Sequence, residues 1–192
     1  GGSAQAFGYQ ANASGDFSIA IGNRARSVGN HSQAYGYQAN SASNFAVSLG
    51  YRANALSGNA LAIGRCATAS VTNAVAVGVS ASATGFNASA FGRSANAAGY
   101  QSTAIGSASN ASACHATALG YFSQASGDYS TSLGYRTQSS GNYSTALGRQ
   151  ANASGEESTA LGRSAMAGGN YSLAVGYSAK ASSSSSTALG SQ

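Results

Sequence analysis

One spacing governs this chain: a small residue, a hydrophobic residue and a glycine recur at every fourteenth position without an insertion or deletion. The triplets begin at Ala6, Ala20, Ala34, Ser48, Ala62, Ala76, Ala90, Ala104, Ala118, Ser132, Ala146, Ala160, Ala174 and Ala188. They define a single repeat domain, 1–192, with 13 full coils over 6–187 and a partial terminal coil over 188–192. A period held this strictly is the signature of a repeat fold, in which each unit buries its face only against its neighbours. Counting from the Ala or Ser as position 1, position 2 is always hydrophobic and position 3 always glycine. Positions 6 and 8 are Ala, Ser or once Thr137, and position 13 is only Ser or Ala. Position 10 is often glycine, as at Gly15, Gly29, Gly141 and Gly155.

Small and larger residues alternate over positions 12 to 3 and again over 5 to 9. An alternation of period two predicts strands, and neither run is long enough for a helix. Two short strands and two bends per repeat make one coil of a parallel β-roll. Glycines at 3 and 10 fit the bends, where a positive φ or a close backbone approach is needed. Gly and Ser in quantity with only 7% charged residues, against a usual ~25%, would otherwise suggest disorder. The strict period and the absence of Pro argue for order.

The alternation also assigns faces. Small residues at 13 and 1 meet small residues at 6 and 8 across a thin interior, closer than the ~10 Å usual between packed sheets. Position 2 points outward: Phe7, Ile21, Tyr35, Leu49, Ile63, Val77, Phe91, Ile105, Leu119, Leu133, Leu147, Leu161, Val175 and Leu189. An unbroken apolar row of this kind is expected to be buried by other copies of the chain, with cyclic symmetry. Position 14 shares that face. It runs Ile19, Val47, Leu61 and Val75 early and Thr103, Thr117, Thr131, Thr145 and Thr159 later, which predicts a drier oligomer axis at the N-terminal end.

The runs Ser130-Thr131-Ser132-Leu133-Gly134, Ser144-Thr145-Ala146-Leu147-Gly148 and Ser158-Thr159-Ala160-Leu161-Gly162 resemble the head repeats of trimeric autotransporter adhesins, the YadA-like heads. The likeness covers essentially the whole chain. It implies an all-β, left-handed parallel β-roll (β-solenoid) assembled as a homotrimer on the outer surface of a Gram-negative bacterium. It further implies attachment to host matrix proteins, to cells or to other copies of itself. The family's stalk and membrane anchor would lie outside this segment.

Charges segregate by position. The nine basic residues lie at 4, 5 or 7, and the four acids, Asp16, Asp128, Glu156 and Glu157, at 11 or 12. The expectation is solubility and inter-subunit pairing, with a docking strip for an acidic or matrix partner as the functional alternative. Tyr9, Tyr37, Tyr51, Tyr121, Tyr135 and Tyr177 share position 4, and Tyr129, Tyr143 and Tyr171 share position 12. Like side chains on neighbouring coils sit ~4.8 Å apart and should form short aromatic ladders. Tyr and Arg dominate binding hot spots. The candidate ligand-binding residues are therefore Tyr51 with Arg52 and Tyr135 with Arg136, joined by Tyr37 and Tyr121.

No catalytic, cofactor or metal site is expected. His31 and His115 are six coils apart and cannot share a metal within one chain. Cys66 and Cys114 are three coils apart, ~14 Å along the axis, which predicts free thiols. A net charge of +5 without a block of like charges gives no support to nucleic-acid binding. No apolar run approaches the ~18 residues of a membrane span, so no direct membrane insertion is expected. Besides the adhesin head, two other readings fit: a structural fibre segment, as in a phage tail fibre, and an ice-binding protein using the Thr103–Thr159 row.

Overall fold

The computed structural model describes residues 2–190. Gly1, Ser191 and Gln192, and with them the end of the partial coil, lie outside the described residues. Strands and bends account for the repeat, in the order β1 (Gln5–Phe7), β2 (Asn12–Ala13), β3 (Ile19–Ile21), β4 (Arg26–Ser27), and so on in the same rhythm. Each repeat yields one three-residue strand at positions 14, 1 and 2 and one two-residue strand at 7 and 8. The fold is an all-β parallel solenoid.

The chain divides into two compact units, Gly1–Ala95 and Asn96–Gln192. In the first, three-residue strands from Gln5–Phe7 to Ser89–Phe91 form one sheet and two-residue strands from Asn12–Ala13 to Ser82–Ala83 a second. In the second unit the corresponding sheets run from Thr103–Ile105 to Thr187–Leu189 and from Asn96–Ala97 to Lys180–Ala181. Pairing is parallel with an offset of one repeat, so that Gln33 faces Val47, Ala34 faces Ser48 and Tyr35 faces Leu49.

Positions 1, 6, 8 and 13 form the core as the alternation predicts: Ala20, Ala25, Ser27 and Ser18 all have no accessible surface. The interior is thin enough for serines on the two sheets to touch. Ser27 Oγ lies 2.6 Å from Ser32 Oγ, and Ser41 Oγ lies 2.8 Å from Ser48 Oγ. Thr137, the largest fully buried side chain, accepts a hydrogen bond from Ser132 at 2.8 Å. Other serines bond back to the bend, as Ser18 and Ser158 do to the carbonyls of Gly15 and Gly155, each at 2.7 Å. Such partners offset the cost of burying a hydroxyl among alanines, although the Oγ atoms of Ser102, Ser130, Ser139, Ser144 and Ser172 are buried without one.

The strands are shorter than the alternation suggests, because positions 5 and 12 are not extended. Each described residue there has φ between +51° and +58°, whether it is Arg24, Phe17, His31, Tyr143 or Glu157. A left-handed conformation costs a non-glycine residue ~1–2 kcal/mol. Hydrogen bonds between stacked bends offset that cost. The Arg52 N–H donates to the Tyr37 carbonyl at 2.9 Å, and the His31 N–H to the Asp16 carbonyl at 2.8 Å. In most of the bends after position 3 the position-6 N–H also closes a turn onto the position-3 carbonyl, as Ala25 does onto Gly22 at 3.2 Å. The glycine assignment divides accordingly. Position 3 needs both a positive φ, +132° at Gly148, and close approach, whereas position 10 needs approach alone.

Two of the four acids also accept hydrogen bonds from backbone amides. Where position 11 of the next coil holds Asp or Asn, that side chain accepts the position-11 N–H. Asp16 Oδ1 accepts the Gly2 N–H at 2.6 Å, Asp128 Oδ1 the Cys114 N–H at 3.0 Å, and Asn142 Oδ1 the Asp128 N–H at 3.0 Å. An exposed bond of this type contributes about 0.5–1 kcal/mol. Asn142→Ala should lose that much stability and speed exchange of the Asp128 amide proton, with little change at amides two coils away.

Candidate binding edges and family

The predicted ligand residues fall into two clusters, one in each unit, both on the bend that carries positions 4 and 5. In the first unit Tyr37 and Tyr51 stack with ring centroids 5.2 Å apart and planes 8° apart. The Arg52 guanidinium lies 5.3 Å from the Tyr51 centroid, and its Nε donates to Gln38 Oε1 at 2.8 Å. In the second unit Tyr121 and Tyr135 stack at 5.4 Å and 14°, with Arg136 at 5.5 Å from the Tyr135 ring. All six residues are exposed. The left-handed φ of position 5 sets Arg52 and Arg136 beside the tyrosines that precede them. Cation–π contacts at exposed sites contribute ~0.5–1 kcal/mol each and restrain the arginine.

The apolar row lies on the other side of the coil's first strand. In the single chain Phe7 is 58% exposed and Leu147 42%. Ile21, Leu49, Phe91, Ile105, Leu119 and Leu189 are exposed as well, and Ile63, Val77, Leu133, Leu161 and Val175 half-buried. Within each unit they follow one another coil by coil, Leu119 beside Leu133, Leu133 beside Leu147 and Leu147 beside Leu161.

Other candidate chemistry is sparse. Among the described residues no group of three His, Cys, Asp or Glu could hold a metal ion. Cys66 and Cys114 are free and exposed. Among the described residues no helix is long and apolar enough to cross a membrane.

Compared with known families, the chain matches the YadA head domain repeat over residues 1–25, 43–65, 55–81, 83–109, 111–137, 139–165 and 167–192. It belongs to the YadA head family. Among solved structures it is similar to the collagen-binding domain of the Yersinia adhesin YadA, at 28% identity and a TM-score of 0.54. The match covers 73% of this chain and 70% of that one. No curated protein sequence matches. This is a family of adhesin heads rather than of enzymes.

As a YadA head, the chain carries features that the position-4 and position-5 pattern alone did not bring out. Arg149, one coil after Tyr135, places its guanidinium 5.7 Å from that ring, and Phe122 packs edge-on to Tyr121 at 4.6 Å. Arg163 lies 5.4 Å from the Tyr177 ring. The signal for these was available, since Arg149 and Arg163 hold the same repeat position as the tyrosines. The position-12 ladders differ from expectation in membership. His31 lies between Phe17 and Phe45, 5.2 Å from each, and His115 stacks on Tyr129 at 4.6 Å, which in turn stacks on Tyr143 at 5.0 Å. Glu157 comes between Tyr143 and Tyr171 in this row, so the three tyrosines do not form one uninterrupted ladder. The histidines are ring-stack members, sharing the ladder's geometry with tyrosine and phenylalanine.

Proposed function

We propose that this chain is the head of a cell-surface adhesin: three copies bury their position-2 rows against one another and attach to extracellular matrix, to host cells or to like heads through the outward bends. The observation that carries the reading is the division of labour within each coil. An exposed apolar row lies on one face, while tyrosines and guanidiniums lie pre-stacked on the bend, in a family with a collagen-binding domain among its solved structures. Pre-stacked aromatic and arginine side chains lose little freedom on binding. Three parallel copies multiply weak contacts by avidity. The threonine row at position 14 of the second unit would bring hydroxyls to its interface, where position 14 of the first unit offers Ile19, Val47, Leu61 and Val75. The location that suits this role is the bacterial cell surface.

Adhesion to collagen-coated wells tests it. Tyr51→Ala with Arg52→Ala, or Tyr135→Ala with Arg136→Ala, should lower binding about tenfold while leaving oligomeric mass unchanged. Binding that ignores both pairs would favour the structural fibre segment, whose surface tolerates change. The ice-binding reading would require thermal hysteresis that Thr131→Ala removes.

A further inference from the structure

The position-4 and position-5 bend of the second unit holds more unpaired charge than one Tyr–Arg pair. Arg136, Arg149 and Arg163 stand on three successive coils and are all exposed. Coils repeat every ~4.8 Å, so a guanidinium is offered once per coil. Two of them flank a single ring, Arg136 at 5.5 Å and Arg149 at 5.7 Å from the Tyr135 centroid. No carboxylate pairs with any of the three among the described residues. The unit's acids Asp128, Glu156 and Glu157 sit at positions 11 and 12, on the other bend of the coil.

Beside the first guanidinium lies a depression of about 360 Å³, lined by Phe122, Gln124, Arg136, Thr137 and Gln138. That volume falls in the range of small-ligand sites. Its lining mixes an exposed apolar ring, a guanidinium and two carboxamides in register, Gln124 beside Gln138. Such a set offers donors and acceptors to hydroxyls, an apolar surface to C–H groups and a cation to an acid group. It is what a sugar bearing an anionic substituent needs.

We propose that this edge binds a sulfated or uronate-bearing glycan chain, one sugar seated in the Phe122–Gln138 depression and the following anions met by Arg136, Arg149 and Arg163. The inference rests on the adhesin reading and names a ligand class for it. A regular polymer suits a ladder with one cation per coil, because each successive anion meets a donor already in place. Guanidinium contacts to sulfate or carboxylate are charge-assisted and short. The rings do not favour a nucleic acid, since Tyr121 and Tyr135 already stack on each other at 5.4 Å, which occupies a face of each.

The test is surface plasmon resonance of the purified chain over immobilised heparin, with dextran as the uncharged control. Heparin should bind, dextran should not, and the signal should fall with salt. R136Q/R149Q/R163Q should weaken binding about tenfold or more. R24Q/R26Q/R65Q removes the same charge from the first unit and should cost less than about threefold. If the triple variant fails to fold, R149Q/R163Q serves in its place, because those two side chains make ring contacts only. Absence of heparin binding overturns the proposal. So does an equal loss in both triple variants, or competition by polyglutamate or single-stranded DNA as effective as by free heparin. Adhesion to collagen in the same preparation separates the two readings. If it persists without heparin binding, the glycan proposal alone is overturned; if both fail, the adhesin reading falls with it.

Discussion

Leu133→Asp together with Leu147→Asp should convert the proposed trimer to monomer. Light scattering should report about 56 kDa for the unaltered protein, three times the 18.7 kDa of one chain, and about one third of that for the variant. The size of the effect follows from where the row lies. In the single chain Leu147 is 42% exposed and Leu133 half-buried, so a carboxylate at either site stays hydrated and the coil keeps its own contacts. In the assembly every copy would bring two carboxylates to the shared core, where unpaired charge costs several kcal/mol per group. A dissociation constant raised by about a thousandfold or more is expected. The strand signal in circular dichroism should persist, since the interior is untouched: Ser132 and Ala146 remain buried beside the altered residues. A variant that stayed trimeric would remove position 2 from the interface.

Gly148→Ala should be nearly as damaging to the coil itself. At φ +132° the backbone is in a region that side chains rarely adopt, and an added Cβ would stand 2.5 Å from the Gly162 carbonyl oxygen. That oxygen belongs to the next coil's backbone and cannot swing aside. Strain of ~1–3 kcal/mol and the clash together give an expected loss of about 3–5 kcal/mol, read as lost amide protection over the coils holding residues 146–173. Gly58→Ala provides the contrast. Its φ lies outside that region, and the nearest neighbour of an added Cβ would be the Asn44 carbonyl oxygen at 4.0 Å. It should be neutral or slightly stabilising, by up to ~1 kcal/mol through the unfolded state. Equal effects at the two positions would mean that the bends do not pack as described.

The solenoid was legible in the sequence because its core tolerates so little variation. Only Ala, Ser and one Thr fit positions 1, 6, 8 and 13, so burial wrote itself into composition. The left-handed residues at positions 5 and 12 were not legible. Arg, Gln, Phe, His, Tyr and Glu all occupy them, and only Asn59, Asn73 and Asn87 carry a mark that such a φ usually leaves. The conformation is held from outside, by a carbonyl on the neighbouring coil, and that cause has no residue type. The Asx ladder escaped for a related reason: Asp16 and Asp128 read as charges, whereas what matters is an oxygen at the right reach. Tyr51–Arg52 and Tyr135–Arg136 were visible because they are sequence neighbours. Arg149 over Tyr135 was harder to see, since the contact runs between coils.

The one-repeat register has a consequence for how such a chain can change. Every pairing partner within a unit lies one full repeat away and holds the same position in it, Thr145 against Thr159, Ala146 against Ala160, Leu147 against Leu161. Excising residues 146–159 would join Thr145 to Ala160 and leave a strand of the same type, Thr-Ala-Leu, with the bend after it intact. Duplicating the same block would be equally silent. Unequal recombination between coils can therefore shorten or lengthen the solenoid in steps of ~4.8 Å while every surviving contact keeps its partner type. Reach becomes a heritable quantity that can drift independently of stability.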